Sequence, residues 1–274
     1  MLETMKYVNH IGETLDFGTF PLFVNRNDLR DFAWEITSKN DKIASFRKGI
    51  ITKKLPVVVK CKEEEKGLAI RDKIFEVTER DVLAMKHGKL VVGDYYLKCY
   101  ITGSKKADYL TSGSYMAVEL TVQTDYPHWV KESTTAFGIR ADGDSVFLDY
   151  PIAYPHDYMN VQVNGFIKNT NFIASNFRMT IYGEIINPTI YIAGHMYNVD
   201  AEISEGEYLT IDSVEKTIVL TRKNGTKVNC FNKRNRESYI FEKIPAGESL
   251  FICQNPYIRF DITLLDERSE PKWI

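Results

Sequence analysis

Cysteine is scarce in this 274-residue sequence, and its four copies are far apart: Cys61, Cys99, Cys230 and Cys253 form no CxxC pair and have no histidine cluster nearby. That spacing argues against a zinc site and offers no disulfide framework, so reduced, mostly buried thiols are expected, as in a protein that folds in a cytoplasm. Long apolar runs are missing too. No stretch approaches the ~18 to 20 apolar residues of a membrane helix, and the opening MLETMKYVNH has no apolar run after a basic segment. The expectation is a protein made and working in water, with no membrane partner. A large excess of charge of one sign is also absent. Lys and Arg number 35 against 37 Asp and Glu, a net charge of −2, which gives no sign of nucleic-acid binding. Residues 1–135 carry 21 basic against 19 acidic side chains and residues 136–274 carry 14 against 18, a split too mild to name a partner.

Catalytic signatures are absent as well. No Walker A, GxGxxG, HExxH, GxSxG or EF-hand pattern occurs. His10, His87, His128, His156 and His195 are scattered and read as surface or packing residues. Asp142, Asp144 and Asp149 in ADGDSVFLDY suggest a carboxylate site for calcium or glycoside hydrolysis, but a calcium loop needs more oxygen ligands at alternating positions, and Asp142-Gly143-Asp144 reads as a turn. Trp129, Tyr150, Tyr154, His156 and Tyr158 have the rings to stack on a sugar. The preferred reading is an apolar seam between domains or at a subunit interface. No catalytic residue, metal ligand or cofactor site is assigned.

What is present favours β-structure. Tyr and Phe together supply 31 residues, and Thr, Val and Ile recur throughout, a composition suited to pleated, half-buried surfaces. The length suggests two domains. From Tyr7 to Val59 short apolar runs are split by Gly12, Gly18, Pro21, Asn40-Asp41 and Gly49, which predicts several strands. The charged stretch Ser38 to Lys54 has no regular period and predicts a long exposed hairpin or loop. From Glu63 to about Lys86, Ile70, Ile74 and Val77 stand at i, i+4 and i+7 among charged residues, which predicts an amphipathic helix on a sheet. Glu63, Glu64 and Glu65 fit the helix start by the dipole rule, better than they fit a metal or acid/base cluster, and Gly88 follows the end. Three β-type runs follow: Lys89 to Val92, Tyr95 to Thr102 and Tyr115 to Thr124.

The polar segment Lys131 to Asp149 separates the halves, placing one domain over residues 1–135 and a second over 136–274. The second half predicts about ten short antiparallel strands, among them Phe177 to Ile186, Thr217 to Arg222, Thr226 to Phe231 and Tyr239 to Ile244. Asn224-Gly225 is the strongest hairpin signal, and Asn164-Gly165, Glu205-Gly206 and Ala246-Gly247 mark further turns. Strands without a helix to cover them predict a two-sheet sandwich.

Four segments of the first half stand out, YVNHIGETLDFG (Tyr7 to Gly18), NDLRDFAWE (Asn27 to Glu35), GKLVVGDYYLKCYI (Gly88 to Ile101) and TDYPHWVKE (Thr124 to Glu132), and four of the second, DYPIAYPHDY (Asp149 to Tyr158), FRMTIYGEIINPTIYIAGHMY (Phe177 to Tyr197), GEYLTIDSVEKTIVL (Gly206 to Leu220) and IPAGESLFI (Ile244 to Ile252). In this order and over nearly the whole chain they resemble the first and second domains of the distal tail proteins of siphophages. The resemblance implies a mainly β protein, with a first β-domain bearing one helix that forms a sixfold ring, single or stacked in two, and a galectin-like second sandwich projecting outward. It implies a non-enzymatic virion component of the tail tip, assembled in the host cytoplasm. Its partners would be further copies of itself, the tail tube protein, the tail-tip protein and, in some phages, receptor-binding proteins. Ser38 to Lys54 matches the family's β-extension, which embraces the neighbouring subunit. The capacity to oligomerise is therefore expected within residues 1–135. A carbohydrate-binding, lectin-like module is the alternative, and a glycan-cleaving enzyme a third reading; column elution as a 31.6 kDa monomer would favour these two.

Overall fold

A computed structural model describes residues 5–24, 26–106, 115–138, 163–255 and 257–273. The protein is mainly antiparallel β-sheet with one long helix, as the composition predicts. It divides into two compact units, Met1–Lys131 with Glu267–Ile274, and Glu132–Asp266.

The first unit begins with β1 (Met5–Val8), β2 (Thr14–Asp16) and β3 (Leu22–Val24), followed by a hairpin of β4 (Glu35–Lys39) and β5 (Lys42–Arg47). Then come β6 (Ile51–Lys60), α1 (Glu64–Ala84), β7 (Gly88–Val92), β8 (Tyr95–Lys106), β9 (Tyr115–Thr124) and the first residues of β10 (Trp129–Phe137). One sheet runs β2-β1-β7-β8 and the other β8-β9-β6-β3. Strand β8 serves both, pairing with β7 over Tyr95–Cys99 and with β9 over Tyr100–Lys106, with an irregular register between Ile101 and Gly103. Alternation decides which side chains go inside. In β6, Leu55, Val57 and Val59 are buried while Lys54, Pro56, Val58 and Lys60 are not, and β9 buries Met116, Val118, Leu120 and Val122 in the same way.

Helix α1 closes this core with Ile74 and Val77, and Ile70 packs at its edge. Glu64 and Glu65 occupy its first turn, where carboxylates suit the helix dipole. The helix stops at Met85, which adopts a left-handed conformation (φ 52°) and donates its N–H to the Val82 carbonyl at 3.2 Å. Gly88 therefore has another task. It opens β7 with its Cα packed against Tyr7 and Asp81, where a Cβ would lie 2.4 Å from the Tyr7 hydroxyl. No helix of the described residues is long and apolar enough to cross a membrane.

The second unit continues β10 and adds β11 (Val163–Asn169), β12 (Asn176–Tyr182), β13 (Ile185–Ile186), β14 (Thr189–Ile192), β15 (His195–Asn198), β16 (Glu202–Ile203), β17 (Tyr208–Asp212), β18 (Thr217–Thr221), β19 (Lys227–Asn229), β20 (Gly247–Cys253) and β21 (Arg259–Arg268). Strands β19-β18-β17-β12-β21 form one sheet and β11-β20-β14-β15 the other. The predicted sandwich is present, with Phe177, Met179, Ile181, Leu209, Ile190 and Phe251 in one shared core. Two edge-to-face ring contacts bridge the sheets: Phe177 with Tyr197 at 5.4 Å and Phe251 with Phe260 at 5.3 Å. The cysteines are free, with Cys99, Cys230 and Cys253 buried and Cys61 half-buried. Burial pushes the Cys99 and Cys253 thiols up to about 12.

Several local expectations change. Asn164-Gly165 is not a turn but the interior of β11, and Gly165 is there because a Cβ would lie 2.7 Å from the Phe251 ring. Tyr239 to Ile244 is irregular chain whose buried Ile240, Phe241 and Ile244 gave it a strand-like pattern. The predicted strand Phe177 to Ile186 is interrupted after Tyr182. Asn224-Gly225 does join two strands, with the Gly225 N–H bonded to the Arg222 carbonyl at 2.9 Å and Gly225 at φ 80°. Glu205-Gly206 also turns, closed by the Glu207 N–H on the Ser204 carbonyl at 3.0 Å.

Candidate interaction surface

The β4–β5 hairpin stands apart because every residue from Asp31 to Arg47 is exposed. Its tip is a two-residue turn in which Asn40 (φ 51°) and Asp41 (φ 59°) both adopt left-handed backbone, the conformation that lets a tight turn follow the natural strand twist. The hairpin is shorter and earlier than the charge pattern of Ser38 to Lys54 predicts. Lys53 and Lys54 lie in β6, which pairs with β9 over ten residues, from Ile51 opposite Thr124 to Lys60 opposite Tyr115.

Cross-strand register sorts the side chains of this arm onto two faces. Ile36 stands opposite Phe46 and Ser38 opposite Ile43, with an irregularity between Thr37 and Ser38, so Trp34, Ile36, Ile43 and Phe46 share one face. The other carries Thr37, Ser45 and the Glu35–Arg47 ion pair at 2.8 Å. The apolar face is uncovered: Ile36, Ile43 and Phe46 are 57–59% exposed, and the Trp34 ring meets Phe46 edge-on at 6.5 Å. An isolated two-stranded hairpin is marginal in water, and one with an open apolar face gains by covering it.

The base of the arm is firmly held. Leu29 is buried, the Asp28 carboxyl accepts the Lys54 N–H at 2.9 Å, and Lys53 Nζ donates to the Asp31 carbonyl at 2.5 Å. Lys48, at the exit, lies 4.6 Å from the Trp34 ring, and burial lowers its pKa from the ordinary lysine value. Below it a cavity of about 240 Å³ is lined by Leu29, Lys48, Leu97, Trp129 and Ser269.

A second cluster is chemically suggestive. Asp81 is fully buried and accepts hydrogen bonds from the Tyr7 hydroxyl at 2.5 Å and the His10 N–H at 2.9 Å, while His10 Nδ1 lies 2.5 Å from the same carboxyl. Burial first, then the Asp81 contact, drives the Tyr7 pKa far above its ordinary value, so the phenol holds its proton and is not a nucleophile. The cluster pins α1 to β1. His10 packs into this cluster, and because Asp81 lies 71 residues from His10 and 74 from Tyr7, the cluster left no local motif.

The other candidates separate. Trp129 is 2% exposed in the core of the first unit and is not available to a sugar. His87 and His128 make ring contacts with Tyr100 and Tyr126, and His195 lies 3.1 Å from the Ser238 hydroxyl. Asp142, Asp144, Asp149, Tyr150, Tyr154, His156 and Tyr158 lie outside the described residues. Among the described residues no group of three or more His, Cys, Asp or Glu side chains is placed to hold a metal ion.

No family model and no curated protein sequence matches the chain. Solved structures do. The chain matches the crystal structure of the SPP1 Dit (gp 19.1) protein, described as a paradigm of hub adsorption apparatus in Gram-positive infecting phages, with a TM-score of 0.61. Identity is 11% over 98% of this chain and 100% of that one. It also matches a chain of the phage P2 baseplate in its activated conformation with calcium, with a TM-score of 0.59 and 13% identity over 96% of this chain and 98% of that one. The strontium form of that baseplate gives a TM-score of 0.60. These neighbours are phage hub and baseplate proteins, and the fold is the one that the sequence resemblance implies.

Proposed function

We propose that the protein is a structural, non-enzymatic component of a phage tail tip that forms a homo-oligomeric hub ring. The first unit would build the ring and the second would project from it. The observation that carries this reading is the β4–β5 arm. It is a two-faced hairpin exposed from Asp31 to Arg47, whose apolar side leaves Ile36, Ile43 and Phe46 more than half open to solvent. A closed ring needs two different surfaces on each subunit, one protruding and one receiving, because head-to-tail contacts are heterologous. The likeness of fold to the Dit hub and baseplate proteins supports the hub reading, and the sixfold symmetry proposed for the ring is what the sequence resemblance implies. In this role the ring joins the tail tube protein on one side to the tail-tip protein on the other, and receptor-binding proteins attach at its periphery. The site of action is the virion, and assembly takes place in the host cytoplasm. Light scattering on the purified chain over a range of concentrations tests the proposal. A mass of several times the 31.6 kDa chain is expected, and a chain that stays at its monomer mass throughout contradicts it.

A further inference from the structure

From Asp31 to Arg47 the arm is exposed along its whole length, so its direction depends on what holds its two ends. Both ends reach the same distant piece of chain. At the entry, Arg30 Nη1 donates to the Pro271 carbonyl at 2.8 Å across 241 residues of sequence, and the guanidinium lies 4.0 Å above the Trp273 ring. At the exit, Lys48 Nζ donates to the Ser269 hydroxyl at 2.7 Å across 221 residues and to the Pro127 carbonyl at 3.3 Å. The segment is in turn tied down where it leaves β21, because the Tyr126 hydroxyl donates to the Glu267 carboxyl. Pro271 is buried, so the segment lies in the surface of the first unit and is no loose end.

Charged hydrogen bonds from a stiff planar guanidinium and a half-buried ammonium constrain direction more than neutral contacts do. We propose that Glu267–Trp273 is a clamp on the base of the arm, and that self-association through the arm requires it. The inference rests on the arm being the self-association element. It makes residues 1–135 insufficient for assembly, because the clamp is supplied by residues that follow the second unit.

Three variants of the full chain test it: a stop after Arg268, the pair Arg30→Gln with Lys48→Met, and replacement of residues 35–47 by a two-residue turn. Circular dichroism checks folding, light scattering reads association, and hydrogen exchange reads the amides of residues 26–34 and 48–50. Should the stop variant fail to fold, the paired substitution carries the test, since it leaves the whole backbone in place. The expected result is a folded protein whose association is at least about tenfold weaker and whose arm-base amides exchange about tenfold faster. Weakened association on removing the arm, beside wild-type association and exchange in the clamp variants, overturns the clamp and keeps the arm. If removing the arm leaves association unchanged, or the wild type is itself monomeric, the arm reading falls and exchange alone judges the clamp: faster exchange upholds it and unchanged exchange overturns it.

Discussion

Replacing Ile36, Ile43 and Phe46 together with Ser removes the apolar face of the arm while leaving its backbone, its turn and the Glu35–Arg47 pair in place. Full burial of an Ile or Phe side chain contributes roughly 1.5 to 3 kcal/mol, and these three are 57–59% exposed, so each has roughly 1 to 2 kcal/mol left to gain from a partner. The three together offer about 3 to 5 kcal/mol per arm before ordering costs, which absorb part of it. A surviving loss of about 3 kcal/mol per contact weakens association by more than a hundredfold. Folding should hardly change, within about 0.5 kcal/mol, because none of the three contributes to the core of the unit. Sedimentation velocity on the wild type and the triple variant, each checked by urea denaturation, measures both quantities. Thr37→Ala with Ser45→Ala alters the opposite face and should leave association intact. A triple variant that associates as the wild type does refutes the reasoning, as does a control pair that disrupts association equally.

Three further outcomes follow from the interior. Asp81→Ala should cost about 2 to 4 kcal/mol in urea denaturation, because it leaves the buried Tyr7 hydroxyl and the half-buried His10 without their acceptor; a loss under about 1 kcal/mol contradicts the role given to the cluster. Alkaline pH should destabilise the fold: Cys99 and Cys253 rise to about 12 in the folded protein and Tyr7 and Tyr197 are also raised, so their contribution is intact below the unfolded values near 9 to 10 and is lost as pH rises above them. Each such group adds a slope of about 1.4 kcal/mol per pH unit, and a flat stability profile between pH 9 and 11 would refute the assignment. Gly165→Ala should cost about 1 to 3 kcal/mol through overpacking against Phe251 and lower the melting temperature, whereas a glycine in an open turn of ordinary backbone would tolerate the change.

Much of the fold was legible because the periods were clean. Ile70, Ile74 and Val77 marked the helix, because that face meets a core and the charged residues between them meet water, and turn formers between short apolar runs marked the strands of the first half. The arm was half legible. Its charge and the Asn40-Asp41 turn marked an exposed hairpin, but the lysines of β6 have the same composition as a loop, and only pairing with β9 distinguishes them. Its apolar face was hidden because Ile36, Ile43 and Phe46 fall into one row only through an irregular register. Gly165 misleads for a related reason: a glycine that makes room for the ring of its cross-strand neighbour Phe251 looks in sequence like one that admits a turn. The Tyr7–His10–Asp81 cluster and the contacts of Arg30 and Lys48 join residues too far apart for any spacing rule to connect.

Electron microscopy of the purified full-length chain tests the central claim most directly. The account predicts particles with a central opening whose class averages show six subunits, with the second unit at the periphery. Single small particles of the 31.6 kDa chain, with no ring at any concentration examined, would contradict it.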